Sequence, residues 1–161
     1  MAQTQASGTL TITARVQSSM SLVFMDNANV GTTGFCPLTN AGTNNASLNL
    51  GTASFTTGDS LPCVKFAKIG AAIYDVSSAF DVLVTTANTN SPNYRLAVAM
   101  SSAPPANVTW MMNAATLTTA AQTLQAANPY GRTTETLHVQ VKNSVPAQIL
   151  SETIFFTATA N

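Results

Sequence analysis

Apolar residues recur at every second position through most of the chain, and that period leaves little open except a β-sheet protein. Leu10, Ile12, Ala14 and Val16 alternate with Thr9, Thr11, Thr13 and Arg15. Met20, Leu22 and Phe24 continue in the same parity after Gln17-Ser18-Ser19. Further runs are Phe80-Val82-Val84, Tyr94-Leu96-Val98-Met100, Val108-Trp110-Met112, Leu137-Val139-Val141 and Ile154-Phe156-Ala158. A two-residue repeat sends successive side chains to opposite faces, so each run reads as a strand with one buried face. Turn-forming clusters separate the runs: Asn27 to Gly34, Pro37 to Asn45, Asn88 to Asn93, Ala103 to Asn107 and Asn143 to Pro146. The stretch Ala114 to Ala127 tolerates a helix, but its four threonines favour strand or irregular loop. Many short strands between such turns predict an all-β fold, an antiparallel sandwich with Greek-key connections. Trp110, Phe80, Leu96 and Phe156 are the expected core anchors.

The surface of such a sandwich would be nearly uncharged. Six basic side chains balance six acidic ones in 161 residues, and charged residues make up 7% of the chain. Neutralising a nucleic acid takes a clustered excess of Lys and Arg, so that partner is not expected. Nor is an anionic membrane surface, and no apolar run approaches the ~20 residues that a span needs. The 45% hydrophobic content excludes disorder. Thr, Asn, Ser and Ala take the place of charge, a surface that points outside the cytoplasm. Ala2-Gln3-Thr4-Gln5 resembles the start of a mature exported chain, with a leader expected in the full-length gene.

Two cysteines, Cys36 and Cys63, are too far apart for a metal knuckle. In an oxidising compartment they would form a disulfide worth about 3–4 kcal/mol; otherwise they are two small buried thiols. No cofactor or metal motif is present, and the aspartate pattern at Asp26-Asn27-Ala28-Asn29 lacks the glycine and distal glutamate of a calcium loop. His138 is the sole histidine, on the face opposite Leu137, Val139 and Val141, and no nucleophile motif accompanies it. Asp75 and Asp81 are the nearest carboxylate pair, read as turn and strand-edge residues. The chain is therefore not expected to be an enzyme. Asn45-Ala46-Ser47 and Asn107-Val108-Thr109 fit the glycosylation pattern, which an Asn- and Thr-rich chain produces by chance.

The N-terminus is the part that does not suit a closed monomer. SGTLTITARV, residues 7–16, is a strand-like segment of evenly spaced, medium-sized apolar residues, and ILSETIFFTATAN supplies a second strong strand at the other extremity. Exposed strand edges template aggregation, so both must pair: within one sandwich, or with the first segment completing the sheet of a neighbour. The N-terminal segment, the strand MSLVF, Cys36, the phrase LNLGTASF and the Thr-rich closing strand together resemble the layout of chaperone–usher pilins, closest to the spore-coat-U-like branch.

That resemblance implies an extracellular, pilus-like filament of identical subunits, joined head to tail. Each subunit would be an incomplete immunoglobulin-like sandwich. Residues 1–17 would be the donor extension and residues 18–161 the single sandwich domain, with Leu10, Ile12, Ala14 and Val16 filling a neighbour's pockets. A periplasmic chaperone and an outer-membrane usher would assist assembly. The alternatives are a self-contained secreted sandwich that binds carbohydrate or a surface partner, and a coat protein. The lack of a basic arm speaks against the last.

Overall fold

The computed structural model describes residues 13–15 and 17–161. Its strands are β1 (Ser19–Met25), β2 (Leu38–Thr39), β3 (Ser47–Leu48), β4 (Ala53–Ser54), β5 (Gly58–Asp59), β6 (Lys65–Ile69), β7 (Ile73–Ala87), β8 (Asn93–Met100), β9 (Val108–Met112), β10 (Ala115–Thr116), β11 (Gln122–Pro129), β12 (Gly131–Lys142) and β13 (Ile154–Ala160). No helix occurs among the described residues, and all pairing is antiparallel. The helix-tolerant stretch resolves into β10 and β11, in line with its threonines.

Two sheets pack face to face in a sandwich-like arrangement. The larger runs β1-β7-β12-β9-β10, with β6 also on β7; the smaller runs β11-β8-β13. The 15-residue β7 organises the first sheet: its second half takes β1 (Met25↔Asp81 to Ser19↔Ala87) and its first half takes β6 (Ile69↔Ile73 to Lys65↔Ser77). The loop Gly31 to Cys36 bridges the gap between β1 and β6. The Ala79 N–H donates to the Gly34 carbonyl at 2.7 Å, and the Cys36 N–H donates to Ser78 Oγ at 2.8 Å.

Alternation explains the core. Val82 and Val84 on β7, Leu137, Val139 and Val141 on β12, and Val108, Trp110 and Met112 on β9 face inward. From the other sheet they meet Tyr94, Leu96, Val98 and Met100 of β8. Phe80, Trp110 and Leu96 are buried, whereas Phe156 is only half-buried, for a reason given below.

Residues 38–61 form only two-residue ribbons, β2-β3 and β4-β5, linked by turns. One expectation needs correction. Asp75 and Asp81 are not edge residues; both are buried on the outer face of β7, flanked on either side by other strands. Asp75 contacts His138 Nδ1 at 2.9 Å. Asp81 accepts from Asn27 and Thr134, each at 2.7 Å, and pairs with Arg132 at 3.4 Å.

Cys36 and Cys63 are joined in a disulfide. It ties the loop after β1 to the turn before β6, where Gly34 and Phe35 also donate backbone hydrogen bonds to the Cys63 carbonyl. The bridge closes a sequence separation of 27. Its removal in the Cys36→Ser/Cys63→Ser double variant is expected to lower the unfolding free energy by about 3 kcal/mol, read from urea midpoints.

Candidate functional site

Every sheet has two edges, and no strand among the described residues joins the inner edges of the two sheets. β1 is the last strand of the large sheet and β13 the last strand of the small one. Between them lies a groove of about 860 Å³ that opens the core to the surface. Its floor is Phe80, Trp110, Met112 and Leu137; its walls are Leu22 and Phe24 of β1 and Ile154 and Phe156 of β13. Phe24, Phe80 and Phe156 form a mutual edge-to-face trio, with ring centroids 5.1 to 6.2 Å apart. Phe156 is half-buried because one side of it faces this opening.

Backbone direction makes the groove more than an apolar slot. The N–H and C=O of one residue in an extended strand point the same way, and the next residue's point oppositely. The Ser101 N–H donates to the Thr153 carbonyl and the Asn161 N–H to the Asn93 carbonyl, so the odd-numbered residues of this run bond across to β8 and its continuations. The backbone groups of Ile154, Phe156, Ala158 and Ala160 therefore point to the open side. On β1, Phe24 turns its backbone away from β7: its N–H donates to Thr43 O at 2.8 Å and its C=O accepts from Gly42 N at 2.6 Å. That contact closes the end of the edge and leaves Met20 and Leu22 open. Nothing blunts β13: no charge or proline lies between Ile154 and Ala160.

Residues 44–51 form the rim above the groove. Asp26 anchors the start of this arm, its Oδ1 accepting from the Leu38 N–H at 2.7 Å. Gly51, the glycine of the LNLGTASF phrase, holds its turn at φ +70, and a Cβ there would lie 2.7 Å from Leu61 Cγ. At the lower end, Glu152 accepts four hydrogen bonds from the backbone and hydroxyl groups of Ser101 and Ser102, at 2.6 to 3.0 Å. They pin the β8–β9 connection to the start of β13. Phe155, 56% exposed, borders the opening on the outside.

The chain enters β1 at the end where β7 finishes, with Asn88 Nδ2 donating to the Gln17 carbonyl at 3.3 Å. Thr13, Ala14 and Arg15 are exposed and belong to no strand. Of the residues read as pocket-filling, Ala14 is thus exposed, while Leu10, Ile12 and Val16 lie outside the described residues.

Asp75, Ser77 and His138 gather on one outer face, the residue types of a hydrolytic triad. Ser77, however, is buried, and its hydroxyl donates to the Lys65 carbonyl at 3.5 Å rather than to the imidazole. No group of three or more metal-ligating side chains occurs among the described residues. Glu135 was missed by the reading of motifs. It is 0% exposed between the sheets, accepting from Asn113 at 2.6 Å and Gln125 at 3.5 Å. Its odd parity with Leu137, Val139 and Val141 was the available signal.

A scan against protein-family models gives no match, and a search of curated proteins finds no relative. No helix among the described residues is long and apolar enough to cross a membrane, and the disulfide is consistent with a secreted or extracellular protein.

Burial raises the Glu152 pKa, but the hydrogen bonds from Ser101 and Ser102 outweigh it and hold the carboxyl below its ordinary 4.5. A lowered folded pKa stabilises the fold above the ordinary value and loses that contribution as pH falls through the folded one. The protection of the Ser101 and Ser102 amides, measured against the intrinsic exchange rate at each pH, is accordingly expected to fall on acidification below the ordinary carboxylate range. In Glu152→Gln this acid dependence should be absent.

Proposed function

We propose that the chain is the structural subunit of an extracellular filament, polymerising by donor-strand exchange in the manner of chaperone–usher pilins. The single observation that carries the reading is the groove between β1 and β13: a slot floored by core side chains and bordered by backbone groups that no described residue pairs. A cavity of that shape asks for a strand. Leu10, Ile12, Ala14 and Val16 of a second copy are the proposed occupants, their alternation matching the inward parity of Phe156 and Ile154 across the slot. In this reading the sandwich is an immunoglobulin-like, Greek-key domain lacking its last strand, residues 18–161, and residues 1–17 are the extension that leaves it.

Two further features support an occupant from another copy. The residues Thr13 to Arg15 are exposed rather than laid against their own β1. Gln17 and Ser18 are poor residues for the tight primed turn that a fold-back hairpin onto β1 would need. Such a contact between non-identical surfaces repeats without closing, which makes a fibre. Each buried side chain of Leu or Ile size adds about 1.5–3 kcal/mol, and the ladder bonds add to that. The secreted location and the helpers of assembly, a periplasmic chaperone and an outer-membrane usher, follow from the same proposal, and neither an enzymatic activity nor a cofactor enters it.

Complementation separates donor from acceptor. Ile12→Asp places a charge on the donor and Phe156→Asp places one in the groove. Each variant alone is expected to stay monomeric by size-exclusion chromatography and electron microscopy. Mixed together, they should form dimers that stop there, because only the Phe156→Asp donor and the Ile12→Asp groove are intact. Ordinary filaments from either variant alone would contradict the proposal. Thr11→Ala, on the outward parity, should polymerise normally.

A further inference from the structure

A groove that takes a strand can take it in two directions and in several registers, and the side chains here choose among them. The inward residues of β13 are Ile154, Phe156, Ala158 and Ala160, opposite Met100, Val98, Leu96 and Tyr94 of β8. Two large residues are thus followed by two small ones. The N-terminal extension carries four alternating apolar residues, Leu10, Ile12, Ala14 and Val16, of which only Ala14 is small.

At one level the groove is already filled from both sides. Two strands that leave room for a third between them stand about 10 Å apart, twice the ordinary spacing. The rings of Phe24 on β1 and Phe156 on β13 meet across that interval, 5.1 Å between centroids, and Phe80 of the floor abuts both. A strand laid over these rings has no room beneath it for Leu, Ile or Val, because a close-packed site takes added methylene groups only with strain. Ala14 is the residue that fits this level.

Placing Ala14 opposite Phe156 leaves two directions. A strand parallel to β13 would set Ile12 against Ile154 and Leu10 against Glu152, and Ala160 would go unmatched. Glu152 is committed to four hydrogen bonds from Ser101 and Ser102, so it offers an apolar side chain nothing. In the antiparallel direction all four residues are matched: Leu10 to Ala160, Ile12 to Ala158, Ala14 to Phe156 and Val16 to Ile154. Large then meets small at three levels, and at the fourth Ile154 borders the cavity over Trp110 and Met112, which has space for Val16. The antiparallel strand also leaves the groove at its Ile154 end. A subunit's own extension departs from the other end, at the β7–β8 connection, where Asn88 donates to the Gln17 carbonyl and Asn161 bonds Asn93. Successive subunits therefore follow one another in line, as a head-to-tail contact requires.

We infer that the extension of a second copy lies antiparallel to β13 with Ala14 against Phe156, and that this small-to-large pair specifies the register of the contact. The inference rests on the filament reading and names the residues that select its partner strand. The even residues of β13 turn their backbone groups to the opening, so the four matched pairs are the hydrogen-bonded ones, with Cα atoms about 5.5 Å apart.

Disulfide trapping in the assembled full-length protein reads that register, since two cysteines bridge at about 5.5 Å between Cα atoms and not beyond about 7 Å. Ile12→Cys/Ala158→Cys should give ladders of linked subunits on a non-reducing denaturing gel that reductant collapses to monomer. Ile12→Cys/Ile154→Cys, the pair of the parallel direction, and Ile12→Cys/Phe156→Cys, the pair of a two-residue slip, should link less than about one tenth as much. Ala14→Leu should cut polymer yield at least about tenfold, and Ala14→Leu/Phe156→Ala should recover most of that loss. If Phe156→Ala misfolds, the trapping pair with Ala158 keeps Phe156 and still decides. Links concentrated in either alternative pair, or full polymer yield from Ala14→Leu, would overturn the register while the filament reading stands. Absence of polymer from the unsubstituted chain would remove both.

Discussion

A β-strand has two hydrogen-bonding edges, and the edge of β13 that no described residue pairs is the constraint around which this molecule is arranged. Ile154, Phe156, Ala158 and Ala160 direct their backbone groups into the opening, and the side chains of the first three pack against the core. No lysine, proline or bulge guards that edge. Opposite it, β1 offers Met20 and Leu22 and is stopped at Phe24 by the Gly42–Thr43 turn. Among the described residues, one and the same slot leaves backbone unpaired and core exposed, and a single inserted strand of alternating residues would satisfy both.

The remaining polar chemistry serves to hold that opening in shape. Asp26 fixes the arm leading to the rim, Glu152 pins the foot of β13, and the disulfide secures the loop that fills the gap between β1 and β6. Asp81 gathers Asn27, Thr134 and Arg132 across β7 and β12. Three carboxylates that another protein would spend on solubility, Asp75, Asp81 and Glu135, are here buried among their partners.

Strands buried on one face were readable as such. Tyr94 to Met100, Val108 to Met112 and Leu137 to Val141 alternate cleanly because one face of each meets the core and the other meets solvent. β7 was read only in part, since Asp75, Ser77 and Asp81 are buried on its outer face as well, and short polar side chains there look like a turn. Residues 38–61 carry no such signal: their ribbons are two residues long, too short to show a period, and their shape depends on the rim they form. The pairing of Cys36 with Cys63 could be named but not decided from spacing alone. The groove itself was invisible, because whether two edges close depends on how far apart the sheets place them, and no local period encodes that distance. Leu22, Phe24 and Phe156 look like ordinary core residues until the missing neighbour is noticed.

The most direct measurement is a cryo-electron microscopy map of the assembled polymer at side-chain resolution. The account predicts density for a strand lying between β1 and β13 of each subunit, traceable to residues 10–16 of the adjacent one. A groove occupied by the subunit's own N-terminal residues, or one left vacant in the polymer, would contradict it.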